Sequence, residues 1–152
     1  MIKKSLVVND DATSLLIASK MLKKAGFSGE IVTADNGKNA LAYFSEIIGK
    51  GEDCFEQAPQ FVFLDLYMPV MNGWDFLKIF SEKYVTLFPA TRVVIVSSSV
   101  DREDLMQLEK YRVVSDFICT PMTLGKLEDI KKRYDLIPEI GINSLYHQLQ
   151  VN

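Results

Sequence analysis

At 152 residues the chain has one domain's length, and a domain of that size buries roughly 70% of the surface its unfolded form exposes, so its core needs no disulfide or metal staple. Hydrophobic residues make up 48% and charged residues 24%, and 17 Lys and Arg against 20 Asp and Glu leave a net charge of -3, which is an ordinary soluble composition with no basic excess to neutralise nucleic-acid phosphates. No apolar run approaches the ~20 residues of a membrane span, the start Met1 to Val8 is too short for a signal peptide, and Cys54 and Cys119 fit no metal spacing, so a cytoplasmic protein with reduced thiols is expected.

Leu6-Val7-Val8 is a short β-rich run ending at Asn9-Asp10-Asp11, which predicts a buried strand and a loop. Asp11 or Thr13 can cap the helix that follows, where Leu15, Ala18, Leu22 and Ala25 recur at helical spacing before Gly26. Residues 31–34 read as the second strand, Asn36-Gly37 as a turn and residues 38–48 as an amphipathic helix; residues 49–53 read as a polar, flexible connection. Phe61-Val62-Phe63-Leu64 is continuously apolar, the mark of a strand covered on both faces, and it stops at Asp65. After Asn72-Gly73 a third helix carries Trp74, Leu77 and Phe80. Residues 93–96 form a fourth strand closed by Ser97-Ser98-Ser99, and Asp101 to Arg112 a polar helix with Leu105 and Leu108 inward. Residues 116–119 form a fifth strand ended by Thr120-Pro121, and Thr123 caps a last helix with Leu124, Leu127 and Ile130. Residues 134–152 read as a tail containing His147.

Five strand–helix alternations specify an α/β fold: a doubly wound, five-stranded parallel sheet with five helices. Ligands of such sheets gather at the carboxyl ends of the strands. Those ends carry Asn9-Asp10, Asp65, Ser97 and Thr120-Pro121. Two carboxylates about 4 Å apart repel by roughly 4 kcal/mol at an effective dielectric of 20. Either one of the acids holds a proton or a hard cation lies between them, and carboxylate oxygens with the backbone carbonyl of Tyr67 suit magnesium.

The segment Phe63-Leu64-Asp65-Leu66-Tyr67-Met68-Pro69-Val70-Met71-Asn72-Gly73-Trp74 resembles the phosphoacceptor segment of response-regulator receiver domains of two-component signalling. Residues 6–11, 94–99 and 116–121 resemble the first-, fourth- and fifth-strand motifs of the same family, in order, and the likeness runs from about Lys4 to Lys132. It implies a flavodoxin-like receiver domain over residues 1–133, with residues 134–152 as a C-terminal tail. It also implies a signalling module rather than an enzyme. Asp65 would be the nucleophile that becomes an aspartyl phosphate. Asp10, Asp65 and the Tyr67 carbonyl would ligate Mg, with Asn9 acting through a water. The Ser97 hydroxyl would bond a phosphoryl oxygen, and Phe117 would be the switch aromatic. The implied partners are a histidine kinase or phosphotransfer protein and a downstream protein target, with no nucleic acid and no membrane.

Two positions depart from the family pattern. Asn9 replaces the first of two acids, which predicts weaker magnesium binding. Thr120 replaces the usual Lys, whose charge pairs with the phosphoryl group and helps couple it to the switch; Lys4 and Arg102 are the basic residues that could compensate. These departures raise a second reading, a phosphorylation-independent pseudo-receiver acting as a protein-binding module. A flavodoxin-like FMN carrier is disfavoured, because no Gly- or Ser/Thr-rich phosphate loop follows the first strand.

Overall fold

The structure, a computed structural model, describes residues 2–136. Strands β1 (Lys4–Val8), β2 (Glu30–Ala34), β3 (Phe61–Leu64), β4 (Arg92–Ser97) and β5 (Val114–Cys119) alternate with helices α1 (Ala12–Lys24), α2 (Gly37–Gly49), α3 (Gly73–Lys83), α4 (Arg102–Leu108) and α5 (Leu124–Leu136). Every neighbouring pair is parallel, in the order β2-β1-β3-β4-β5. This is the flavodoxin-like order expected of a doubly wound sheet.

The apolar runs become strands because both of their faces are covered. Leu6, Val8, Val62, Leu64, Val93 and Ile95 point into one core layer with residues of α2, α3 and α4. Val7, Phe61, Phe63 and Val94 point into the other, against Leu22 of α1 and Leu127 and Ile130 of α5. Helices α1 to α4 each open on a short polar residue that accepts a backbone N–H three residues on. These residues are Asp11, Asn36, Asn72 and Asp101, at 3.0, 2.8, 2.9 and 2.7 Å. Each satisfies a donor that the first helical turn would otherwise strand.

Three local expectations change. The connection after α2 is not unstructured throughout: Gly51, at φ 102°, leads into a 3-10 helix over Glu52–Gln57. Helix α4 stops at Leu108 rather than Arg112, because the chain turns through Tyr111 N–H to Leu108 O (3.0 Å) to bring Val113 and Val114 into the core. Helix α5 extends through residues 134–136, beyond the boundary at residue 133 expected from the sequence. Residues 137–152, including His147, lie outside the described residues. Among the described residues no helix is long and apolar enough to cross a membrane.

Candidate functional site

Strand β1 lies between β2 and β3, so the chain leaves it toward β2 on one side and reaches β3 on the other. A crevice opens at that reversal, beyond the carboxyl ends of the strands. The register pairs Val8 with Leu64, Leu64 with Ile95 and Ser97 with Cys119. Three further backbone bonds extend the alignment past the last residues: Asp65 N–H to Val8 O (3.1 Å), Asn9 N–H to Ala34 O (3.1 Å) and Thr120 N–H to Ser97 O (2.9 Å). Asn9, Asp10, Asp65, Tyr67, Ser97 and Thr120 therefore line one cleft of about 510 Å³. The sequence puts Asn9, Asp10, Asp65, Ser97 and Thr120 at the strand ends and offers Tyr67 as a further ligand through its carbonyl.

Asp65 is half-buried, and that burial raises its carboxyl above the ordinary carboxylate range. The Tyr67 N–H, 3.2 Å from Oδ1, pulls it back, and the neighbouring charge of Asp10 pushes it up again. Burial is the larger cause, and the like charge of Asp10 adds to it. Asp11 takes no part in it. Its carboxylate is turned to the start of α1, accepting from the Ser14 N–H at 3.0 Å and the Ser14 hydroxyl at 2.7 Å, and these bonds lower its pKa.

Asn9 accepts the Asp11 N–H through Oδ1 at 2.9 Å. Ser97 is buried, and its hydroxyl donates to Ser99 O at 2.9 Å. Phe117 is partly buried and packs on the core layer shared with α4. The Thr120–Pro121 peptide is cis.

Neither basic candidate lines the cleft. Lys4 stands at the opposite, amino end of β1, where its Nζ bonds Tyr43 Oη at 3.1 Å and pairs with Glu30 at 3.5 Å. Arg102 opens α4 and is not among the residues lining the cleft. A lysine does reach the end of β5, but from α5: Lys126 Nζ donates to Cys119 O at 2.6 Å and Pro121 O at 3.1 Å. It grips the backbone on either side of Thr120 and does not line the cleft. No motif signals it, because the contact depends on how α5 follows the cis turn.

The site's donor set fits a divalent cation. Two carboxylates, Asp10 and Asp65, and the Tyr67 carbonyl are hard oxygen ligands, and the gathering of two acids in one cleft is the arrangement a cation would stabilise. With Asn9 an amide and Asp11 turned away, the described residues hold no cluster of three or more His, Cys, Asp or Glu suited to a metal.

The response regulator receiver domain family matches residues 5–132. The chain belongs to this family. Receiver domains are phosphorelay signalling modules, and as a family they bind Mg²⁺. The chain is 29% identical over 133 residues to hybrid signal transduction histidine kinase L of Dictyostelium discoideum, matching 86% of this chain and 7% of that protein. It therefore spans a small part of that relative. It is 27% identical over 122 residues to chemotaxis protein CheY of Thermotoga maritima, matching 78% of this chain and 86% of the relative. A two-component response regulator from Cytophaga hutchinsonii shares the fold at TM-score 0.76 with 22% identity, over 87% of this chain and 96% of that one.

Proposed function

We propose that this receiver domain, spanning residues 1–133, takes a phosphoryl group on Asp65 from the phosphohistidine of a histidine kinase or phosphotransfer protein. It then signals by protein–protein contact, in the cytoplasm. The observation that carries this is the half-buried Asp65 carboxylate at the strand reversal, held by the Tyr67 N–H and facing Asp10. In the transfer a carboxylate oxygen of Asp65 forms the new P–O bond. The donor's P–N bond breaks, and the imidazole leaves with the electron pair. Asp10, Asp65 and the Tyr67 carbonyl would hold magnesium, with Asn9 reaching it through a water. Bound there, the ion neutralises phosphoryl charge and relieves the repulsion between the two acids.

The remaining residues act on the product. The Ser97 hydroxyl exchanges Ser99 O for a phosphoryl oxygen, drawing the end of β4 inward. Phe117, on the neighbouring strand, follows into the space that this movement opens. Thr120 offers one neutral hydrogen bond where the family uses a cation, and Lys126 holds the turn it sits on. The resulting change of surface on α4, β5 and α5 is what a downstream protein reads. The phosphorylation-independent alternative rests on Asn9 and Thr120 alone, and both acids it would dispense with are in place.

Acetyl phosphate with magnesium is expected to add one phosphoryl group by intact mass and to change Trp74 emission. Asp65→Asn is expected to abolish both responses. A mass gain that persists in Asp65→Asn would place the acceptor elsewhere.

A further inference from the structure

Tyr67 ties the acceptor loop to α4. Its N–H donates to Asp65 Oδ1 at 3.2 Å. Its hydroxyl reaches 37 residues along the chain to Asp104 on α4, donating to Oδ1 at 3.2 Å and Oδ2 at 3.4 Å. Asp104 is itself half of the reciprocal cap that starts α4: its N–H donates to Asp101 Oδ1 at 2.7 Å and its carboxylate accepts the Asp101 N–H at 3.5 Å. One carboxylate thus holds both the first turn of α4 and the ring that hangs from the acceptor loop. Tyr67 is 59% exposed, so burial alone does not fix its ring there.

We propose that Tyr67 is a clasp, closed on Asp104 when Asp65 is bare and opened when Asp65 carries a phosphoryl group. This deepens the phosphoacceptor reading and rests on it. The acceptor loop is fixed at its far end, because the Gly73 N–H bonds Leu66 O at 2.9 Å and Gly73 lies directly under the Asp65 carbonyl. Added charge at Asp65 draws the Tyr67 peptide toward the acceptor, through the N–H already bonded there. Only two side-chain torsions separate that peptide from the ring, so the hydroxyl withdraws from Asp104 as the peptide moves. The first turn of α4 then loses a partner on its capping carboxylate. Such a route needs no cation at position 120, where this chain has Thr.

Hydrogen exchange over residues 102–105, read with and without magnesium and beryllofluoride, tests the clasp, with intact mass after acetyl phosphate run on each variant. In the parent protein beryllofluoride is expected to speed exchange there by about threefold, the scale of one exposed hydrogen bond. Tyr67→Phe keeps the ring and the backbone ligand but removes the hydroxyl. It is expected to show the fast rate already without beryllofluoride and no further change with it. Asp104→Asn keeps an acceptor for the cap and weakens only the clasp, so an intermediate rate is expected. A Tyr67→Phe protein that responds like the parent overturns the clasp, as does one slowed or speeded equally in both states. Absence of any mass gain in the parent overturns the phosphoacceptor reading, and the clasp with it.

Discussion

Gly73 leaves no room for a side chain. A Cβ there would lie 2.4 Å from the Asp65 carbonyl oxygen and 2.7 Å from the Leu66 Cα, both backbone atoms that cannot swing aside. On the other side of the same loop, Gly37 is closed off by the Met71 carbonyl at 2.8 Å. Between them Val70 sits at φ 72° and is 82% exposed; a β-branched residue rarely adopts that conformation, and it persists here because the loop is held at both ends. Gly73→Ala is therefore expected to cost about 1–3 kcal/mol of stability, the range for forcing atoms into packed space. It should also slow phosphoryl uptake, since the backbone it displaces belongs to the acceptor. Gly125→Ala, in the first turn of α5 with nothing within 4 Å of the new Cβ, is the matched control. It should leave uptake unchanged and stability equal or slightly higher. Thermal melts and timed mass measurements on the two variants separate the outcomes; equal behaviour would show that the loop yields more easily than its contacts imply.

Helix α5 is pinned to β5 by a charge pair that no apolar pattern announces. Asp116 is 4% exposed in the middle of the strand, and its carboxylate meets the Arg133 guanidinium. Burial still raises the Asp116 pKa above the ordinary range, with Arg133 only partly offsetting it. Because the folded-state pKa is the higher one, the contribution of Asp116 is fully present below the ordinary carboxylate pKa. It diminishes as pH rises through the folded value. Arg133→Met removes the counter-charge and pushes that loss to higher pH and larger size. A deficit of about 3 kcal/mol is expected near neutral pH, as for a buried pair robbed of one partner. It should shrink as acid protonates Asp116. Adding Asp116→Asn to Arg133→Met should recover most of the loss at neutral pH. Denaturant melts across that pH range check the trend, and a deficit that stays flat with pH would mean Asp116 is not the group left stranded.

Across the whole molecule, legibility follows the kind of force involved. The parallel sheet could be read from the sequence because strands covered on both faces must be apolar throughout, as residues 61–64 and 93–96 are. The site could be read because Asp65, Ser97 and Thr120 directly follow such runs or close them. The Tyr67–Asp104 and Asp116–Arg133 pairs could not, since each joins elements whose relative placement is a product of packing. The 3-10 helix over Glu52–Gln57 is too short and too polar to impose a period. Charge is the property that belongs to no single element. The cleft is lined by Asp10, Asp11 and Asp65, Lys4 lies at the far edge of the sheet, Lys126 grips carbonyls, and position 120 is neutral. Thr120→Lys should therefore act on the electrostatics of the entire site. Metal-free, the raised pKa of Asp65 means that stability falls as pH climbs through it; an ammonium in the cleft should lower that pKa and flatten the fall. It should weaken magnesium binding, because two cations would compete for the same pair of acids. It should also tighten the grip on a bound phosphoryl mimic by about 5- to 150-fold, the range of typical allosteric coupling. Thermal melts against pH in chelator, with magnesium and beryllofluoride titrations followed through Trp74, measure all three. If the variant left the pH profile and both affinities unchanged, the neutral residue at position 120 would not be what sets the charge balance of this receiver.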